Sequence, residues 1–129
     1  MKTSLIFCLL FAAAPVYAET WARYTQTDEA NLYYDKHRVI KMGSTAMIWD
    51  LHDLKAAAKD ASGKSYSSVL YATEYNCRMG QRRILSVQKV AGAMGSGDVI
   101  SEESAAGEWM EASPKSAGGK LLLAACDLK

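Results

Sequence analysis

The sequence predicts an α+β domain that is mainly β, a sheet with one C-terminal helix packed on a single face and held there by a disulfide. Three observations carry this. Residues 68–77 alternate without a break, Val69, Tyr71, Thr73, Tyr75 and Cys77 on one face and Ser68, Leu70, Ala72, Glu74 and Asn76 on the other, which is the period of a strand. Near the C-terminus the period changes. Leu121, Leu122, Ala125 and Cys126 fall on adjoining helical positions behind Pro114 and Ser116, residues that open helices. The third observation is the cysteine pair Cys77 and Cys126, one in each of these segments.

The other elements follow in chain order. Residues 21–25 beginning at Trp21, the run Leu32-Tyr33-Tyr34 and the pair Val39-Ile40 are short strands separated by polar turn residues. Residues 46–51 set Met47, Trp49 and Leu51 against Ala46, Ile48 and Asp50, a strand covered on one side and partly on both. Residues 54–59 have helical composition, but Gly63 and the serines around it shorten the segment to a loop with at most a brief turn. Residues 83–90 and 98–101 complete the strands, and Gly92, Gly95 and Gly97 between them suit a hairpin or a bulge. The helix is expected from about Ala117 or Gly119 to Cys126.

Met1 and Lys2 precede an apolar stretch from Leu5 to Ala14, followed by Pro15 and the small-residue ending Val16-Tyr17-Ala18. That is the order of a secretory signal, with cleavage expected after Ala18 and the bond after Ala14 as the alternative. A spanning helix needs about 20 apolar residues, and this run is about half that. Residues 1–18 are thus read as a signal peptide and residues 19–129 as a single domain. Cys8 leaves with the leader, and no cysteine follows it for lipid attachment. The product is expected as a soluble periplasmic or secreted protein without an integral membrane segment.

The formal net charge is +1, and the leader removes Lys2 and no acid, so +1 minus 1 leaves a neutral domain. Such a domain lacks the field that draws proteins to nucleic acid or anionic membrane, and the pair Arg82-Arg83 is too small to supply it. In an oxidising compartment the even pair Cys77 and Cys126 predicts a bridge. Closing about 50 residues stabilises a fold by about 4 kcal/mol in the chain-entropy model. Because Cys77 shares its face with Val69, Tyr71 and Tyr75, the bond would lay the Leu-rich side of the helix on that face.

Trp21, Tyr34-Asp35, the Trp49 strand, Tyr75-Asn76-Cys77, Trp109, Pro114 with Ser116 and the closing Cys126 follow in an order that resembles the bacterial surface-adhesin protein E family. The resemblance covers nearly all of residues 19–129. It implies an antiparallel sheet of about six strands, with a C-terminal helix tied to the concave face by Cys77 and Cys126. It also implies a non-enzymatic protein that binds host matrix or envelope macromolecules and can form a homodimer. The family's best-known kind is lipid-anchored, whereas this chain has no lipid-attachment cysteine directly after the leader, where Glu19 and Thr20 stand. No ligand-binding residue is carried over.

The residues that could do chemistry are few. His37 and His52 are the two histidines, and strand geometry places Asp50 and His52 on one face beside Asp53. Two or three ligands without a partner motif read as a solvated strand edge rather than a metal centre. No Gly-x-Ser-x-Gly elbow supports a nucleophilic triad, and Cys-x-x-Cys is absent. Residues 92–97 are glycine-rich but lack the Gly-Lys-Ser/Thr ending of a phosphate loop. No catalytic residue, metal ligand or cofactor is therefore assigned. Tyr33, Tyr34, Tyr66, Tyr71 and Tyr75 could line a recognition face, although Trp49, Tyr71 and Tyr75 read first as core. The function expected is binding of a protein partner of unknown identity. The alternative is a periplasmic structural or inhibitory module that binds another bacterial protein.

Overall fold

The structure is a computed structural model that describes residues 21–127; the expected leader and its cleavage site after Ala18 lie outside the described residues. Among the described residues eight strands and one α-helix follow in order: β1 (Trp21–Gln26), β2 (Ala30–Asp35), β3 (Ile40–Met42), β4 (Thr45–Lys59), β5 (Ser65–Asn76), β6 (Gln81–Val90), β7 (Val99–Glu103), β8 (Met110–Glu111) and α1 (Ala117–Cys126). Six of the strands form one path, β1-β2-β4-β5-β6-β7, every pair antiparallel. The short β3 adds to β4 and β8 to β6. The main path thus has the six strands that the family resemblance implies.

The register of β4 against β5 decides what meets what. Ala46 lies opposite Tyr75, Ile48 opposite Thr73, Asp50 opposite Tyr71 and His52 opposite Val69, so these residues share one face. The helix covers one end of it. Ala46, Ile48, Tyr75, Ala112, Leu121 and Ala125 form the buried cluster, with Tyr24, Tyr34, Val39 and Leu122 packed around them. Ser116 caps α1, its Oγ accepting from the Gly119 N–H at 3.1 Å. The Cys77–Cys126 bond, with Cα atoms 5.7 Å apart, joins the end of β5 to the last residue of the helix. Sheet face, helix and bridge agree with the sequence reading.

Two expectations are corrected. Residues 54–59 are strand, not loop: β2 pairs with β4 as far as Leu54, Lys55 N–H donates to Glu29 O at 2.8 Å, and Ala58 and Lys59 pair with Tyr66 and Ser65. A bulge between Asp53 and Ala58 absorbs the extra residues. Ladder bonds on both flanks outweigh the weak helix preference of an Ala-Lys run. Trp49 is not core. It is half-buried on the face opposite the helix, where Arg38 lies 5.4 Å from its ring. Ile48 takes the fully buried place instead.

The loop between β6 and β7 crosses that opposite face. A single 3-10 turn, Ala93–Gly95, lies over Leu51 and Leu70. Met94 N–H donates to Asp53 Oδ1 at 2.8 Å, and Gly95 N–H donates to Ser68 Oγ at 2.9 Å. The Ser68 hydroxyl in turn donates to Gly92 O at 2.7 Å. Gly95 and Gly97 take φ of 73° and 86°, the left-handed region open to glycine, which lets this hairpin fold back on the sheet.

Candidate functional site

At the N-terminal end of α1 the helix no longer fills the sheet face, leaving a cavity of about 210 Å³. Its floor is Asp50 and His52 from β4, Tyr71, Thr73 and Tyr75 from β5, and Arg82 and Ile84 from β6. Tyr24 closes one side, and Ala117, Gly118 and Leu121 of the helix form the roof. The cavity exists because β4, β5 and β6 bring alternate residues into register beneath a helix too short to cover them.

Asp50 lies at the centre. It is 4% exposed, accepts from the Thr73 hydroxyl at 3.3 Å and has His52 Nε2 at 3.2 Å from Oδ2. Burial raises its pKa above the ordinary carboxylate value, and the bonds from His52 and Thr73 and the charge of Arg82 oppose that rise. In place of the solvated edge expected for Asp50, His52 and Asp53, Asp50 is buried in mid-sheet with the half-buried His52 beside it. Asp53 faces the other side, where it holds Met94. That leaves two metal-ligating side chains together, and no group of three or more His, Cys, Asp or Glu that could hold a metal occurs among the described residues.

Tyr24, Tyr71 and Tyr75 are each pushed up in pKa, first by burial and then by the negative charge of Asp50, so they stay neutral hydroxyl donors. Tyr75 is 1% exposed, yet its hydroxyl has no hydrogen-bond partner among the described residues. Every side-chain polar atom sealed from solvent among the described residues is satisfied, so this hydroxyl opens into the cavity. Arg82 also lines the cavity and forms no ion pair among the described residues. Its side chain lies along the helix backbone at Gly118, where an added Cβ would stand 2.7 Å from Nε. As a charge patch the pair Arg82-Arg83 is small. Only the fold shows that the two point to opposite faces.

On the face away from the helix, Met47, Glu74 and Arg83 lie side by side across β4, β5 and β6. Arg83 bonds Glu74 Oε1 through Nε at 2.8 Å and through a terminal nitrogen at 2.7 Å, and its guanidinium lies 4.5 Å from the Trp109 ring. With Arg38 over Trp49, this makes two Arg–Trp stacks on one face. Tyr71 and Tyr75, which read first as core, both lie on the helix side: Tyr75 belongs to the buried cluster and both line the cavity, apart from Tyr33 and Tyr66. Tyr34 packs edge-on to Tyr24, with ring centroids 6.0 Å apart.

The family model for surface-adhesin protein E matches residues 21–127, the whole of this sheet, helix and bridge. The chain belongs to the surface-adhesin protein E family. Solved structures of Haemophilus influenzae protein E share the fold. Its crystal form II has a TM-score of 0.69 at 10% identity, over 84% of this chain and 88% of that one. Protein E from non-typeable Haemophilus influenzae has a TM-score of 0.65 at 12% identity, over 88% and 81%. No curated protein sequence matches the chain. No helix among the described residues is long and apolar enough to cross a membrane.

Proposed function

We propose that this member of the surface-adhesin protein E family is an exported, non-enzymatic adhesin that binds a host matrix or envelope macromolecule through the sheet face opposite the helix. The observation that carries the reading is the pair of Arg–Trp stacks there, Arg38 on Trp49 and Arg83 on Trp109, all four half-exposed or exposed. Tryptophan and arginine dominate the energetic centres of protein interfaces, and a ring already stacked on a guanidinium loses little freedom on binding. The exported form begins after Ala18. The test is binding of purified protein to immobilised matrix proteins and to envelope extract, beside a variant with Trp49 and Trp109 both changed to alanine. Saturable binding lost in the variant supports adhesion; equal binding by both proteins removes this face.

A second reading is a periplasmic structural or inhibitory module whose partner is another bacterial protein. The residues after Ala18, Glu19 and Thr20, favour it because neither can carry a lipid anchor. Cell fractionation separates the two. Surface exposure to added protease supports the adhesin, and a pool protected until the outer membrane is opened supports the periplasmic module.

A further inference from the structure

We propose that the cavity beneath the N-terminal end of α1 is a binding site for a small monocarboxylate bearing an apolar body, whose carboxylate is held by Arg82 and the Tyr75 hydroxyl. This goes beyond the adhesin reading, because the cavity lies on the opposite side of the sheet from the Arg–Trp stacks.

The cavity contains more donors than its own acceptors use. Among the described residues, Arg82 has five N–H donors and no ion pair, and the Tyr75 hydroxyl is almost wholly buried without a partner. The hydroxyls of Tyr24 and Tyr71 likewise have no partner among the described residues, and both residues line the cavity. Leaving such groups unpaired in a half-enclosed site is unfavourable, and an oxyanion would satisfy several at once. Asp50, the acid in the cavity, is committed to His52 and Thr73. The first-turn backbone at Ala117 and Gly118 adds the positive end of the helix dipole to the roof.

The same residues select among anions. Asp50 stands in the same cavity, so a second negative charge on the ligand would meet it directly, which favours a monoanion over phosphate. Arginine matches the planar carboxylate with two parallel bonds. Ile84, Leu121 and the tyrosine rings supply apolar wall for a ring or a branched chain. The volume suits this, since an apolar cavity of about 150 Å³ takes up benzene and this one is about 210 Å³.

The test is calorimetric titration of the disulfide-intact protein with benzoate, benzamide and inorganic phosphate. Benzoate is expected to bind with a Kd of about 1 mM or tighter. Benzamide, which has the same shape without the charge, is expected to bind at least about tenfold more weakly, as is phosphate. Tyr75→Phe keeps the ring and removes the hydroxyl; Arg82→Met keeps the stem and removes the charge. Each should weaken benzoate by about tenfold or more and benzamide by less, because only the carboxylate makes charge-assisted bonds. Near-ultraviolet circular dichroism checks that each variant is folded, and Tyr75→Phe serves alone if Arg82→Met is not. Absence of benzoate binding, equal binding of benzamide or phosphate, or unchanged affinity in Tyr75→Phe would each overturn the assignment.

Discussion

The imidazole of His52 stands 3.2 Å from the carboxylate of Asp50, two residues earlier on the same face of β4 and beneath the helix. Alternation alone puts the two on one face, but burial by the helix and by β5 makes them a pair instead of a solvated edge.

Stability should fall with rising pH through Asp50. Burial raises its native pKa above the ordinary 3.8, so the native state holds the proton more tightly than the unfolded chain does. Its contribution is fully present below that ordinary value and is lost as pH rises through the raised native one. Asp50→Asn cannot ionise, so its Tm should decline less than the parent's as pH rises above about 4 in scanning calorimetry. Parallel declines would show that Asp50 is not the source.

Reduction of the Cys77–Cys126 bond should lower stability by up to about 4 kcal/mol and free the helix to leave the sheet. Urea titration of oxidised protein and of the Cys77→Ser, Cys126→Ser double variant measures this. Non-reduced protein should carry no free thiol on these two cysteines and weigh two hydrogens less than its reduced form.

Two neighbouring glycines in α1 should respond differently to alanine. A Cβ at Gly119 would collide with the Ser113 carbonyl and the Pro114 backbone, neither of which can move without opening the turn before the helix. At Gly118 it would meet the Arg82 side chain, which can swing aside. Alanine gains up to about 1 kcal/mol over glycine in a helix interior. Gly118→Ala should therefore be near neutral in thermal unfolding, and Gly119→Ala clearly destabilising. Similar losses in both would mean that the turn relaxes more easily than its geometry implies.

Changing Trp49 or Trp109 singly to alanine should each weaken adhesion by about 1–2 kcal/mol in binding free energy, with little change in Tm. Leu121→Ala, in the buried cluster on the other face, should do the reverse, costing about 2–5 kcal/mol of stability. Surface plasmon resonance on immobilised matrix protein, read beside thermal melts, separates the two effects. Adhesion that tracks Tm across all three variants would place the binding face elsewhere.

Legibility varied along the chain for identifiable reasons. The alternation of β5 was readable because Tyr75 and Thr73 are buried on one side and Ala72 and Glu74 on the other, leaving the pattern of side chains unbroken. β4 was ambiguous because it is covered on both faces, with Ile48 under the helix and Leu51 under the 3-10 turn, so parity alone could not choose between Ile48 and Trp49. β3 and β8 are too short to show a period. Residues 54–59 misled because composition reports local preference, while their extended form comes from bonds to β2 and β5.

From the sequence alone came the strand period, the C-terminal helix and the cysteine pair that ties it down, because each is encoded in neighbouring residues or in a simple count. The cavity came only from the tertiary structure. Its members are brought together by register, with Thr73 bonded to Asp50 across 23 residues of chain and Arg82 lodged against Gly118 of the helix. Which face of one strand meets which face of another is decided by the bulges and the helix that closes over them. Local periodicity carries no record of that choice, since a shift of one residue preserves the pattern and reverses every contact.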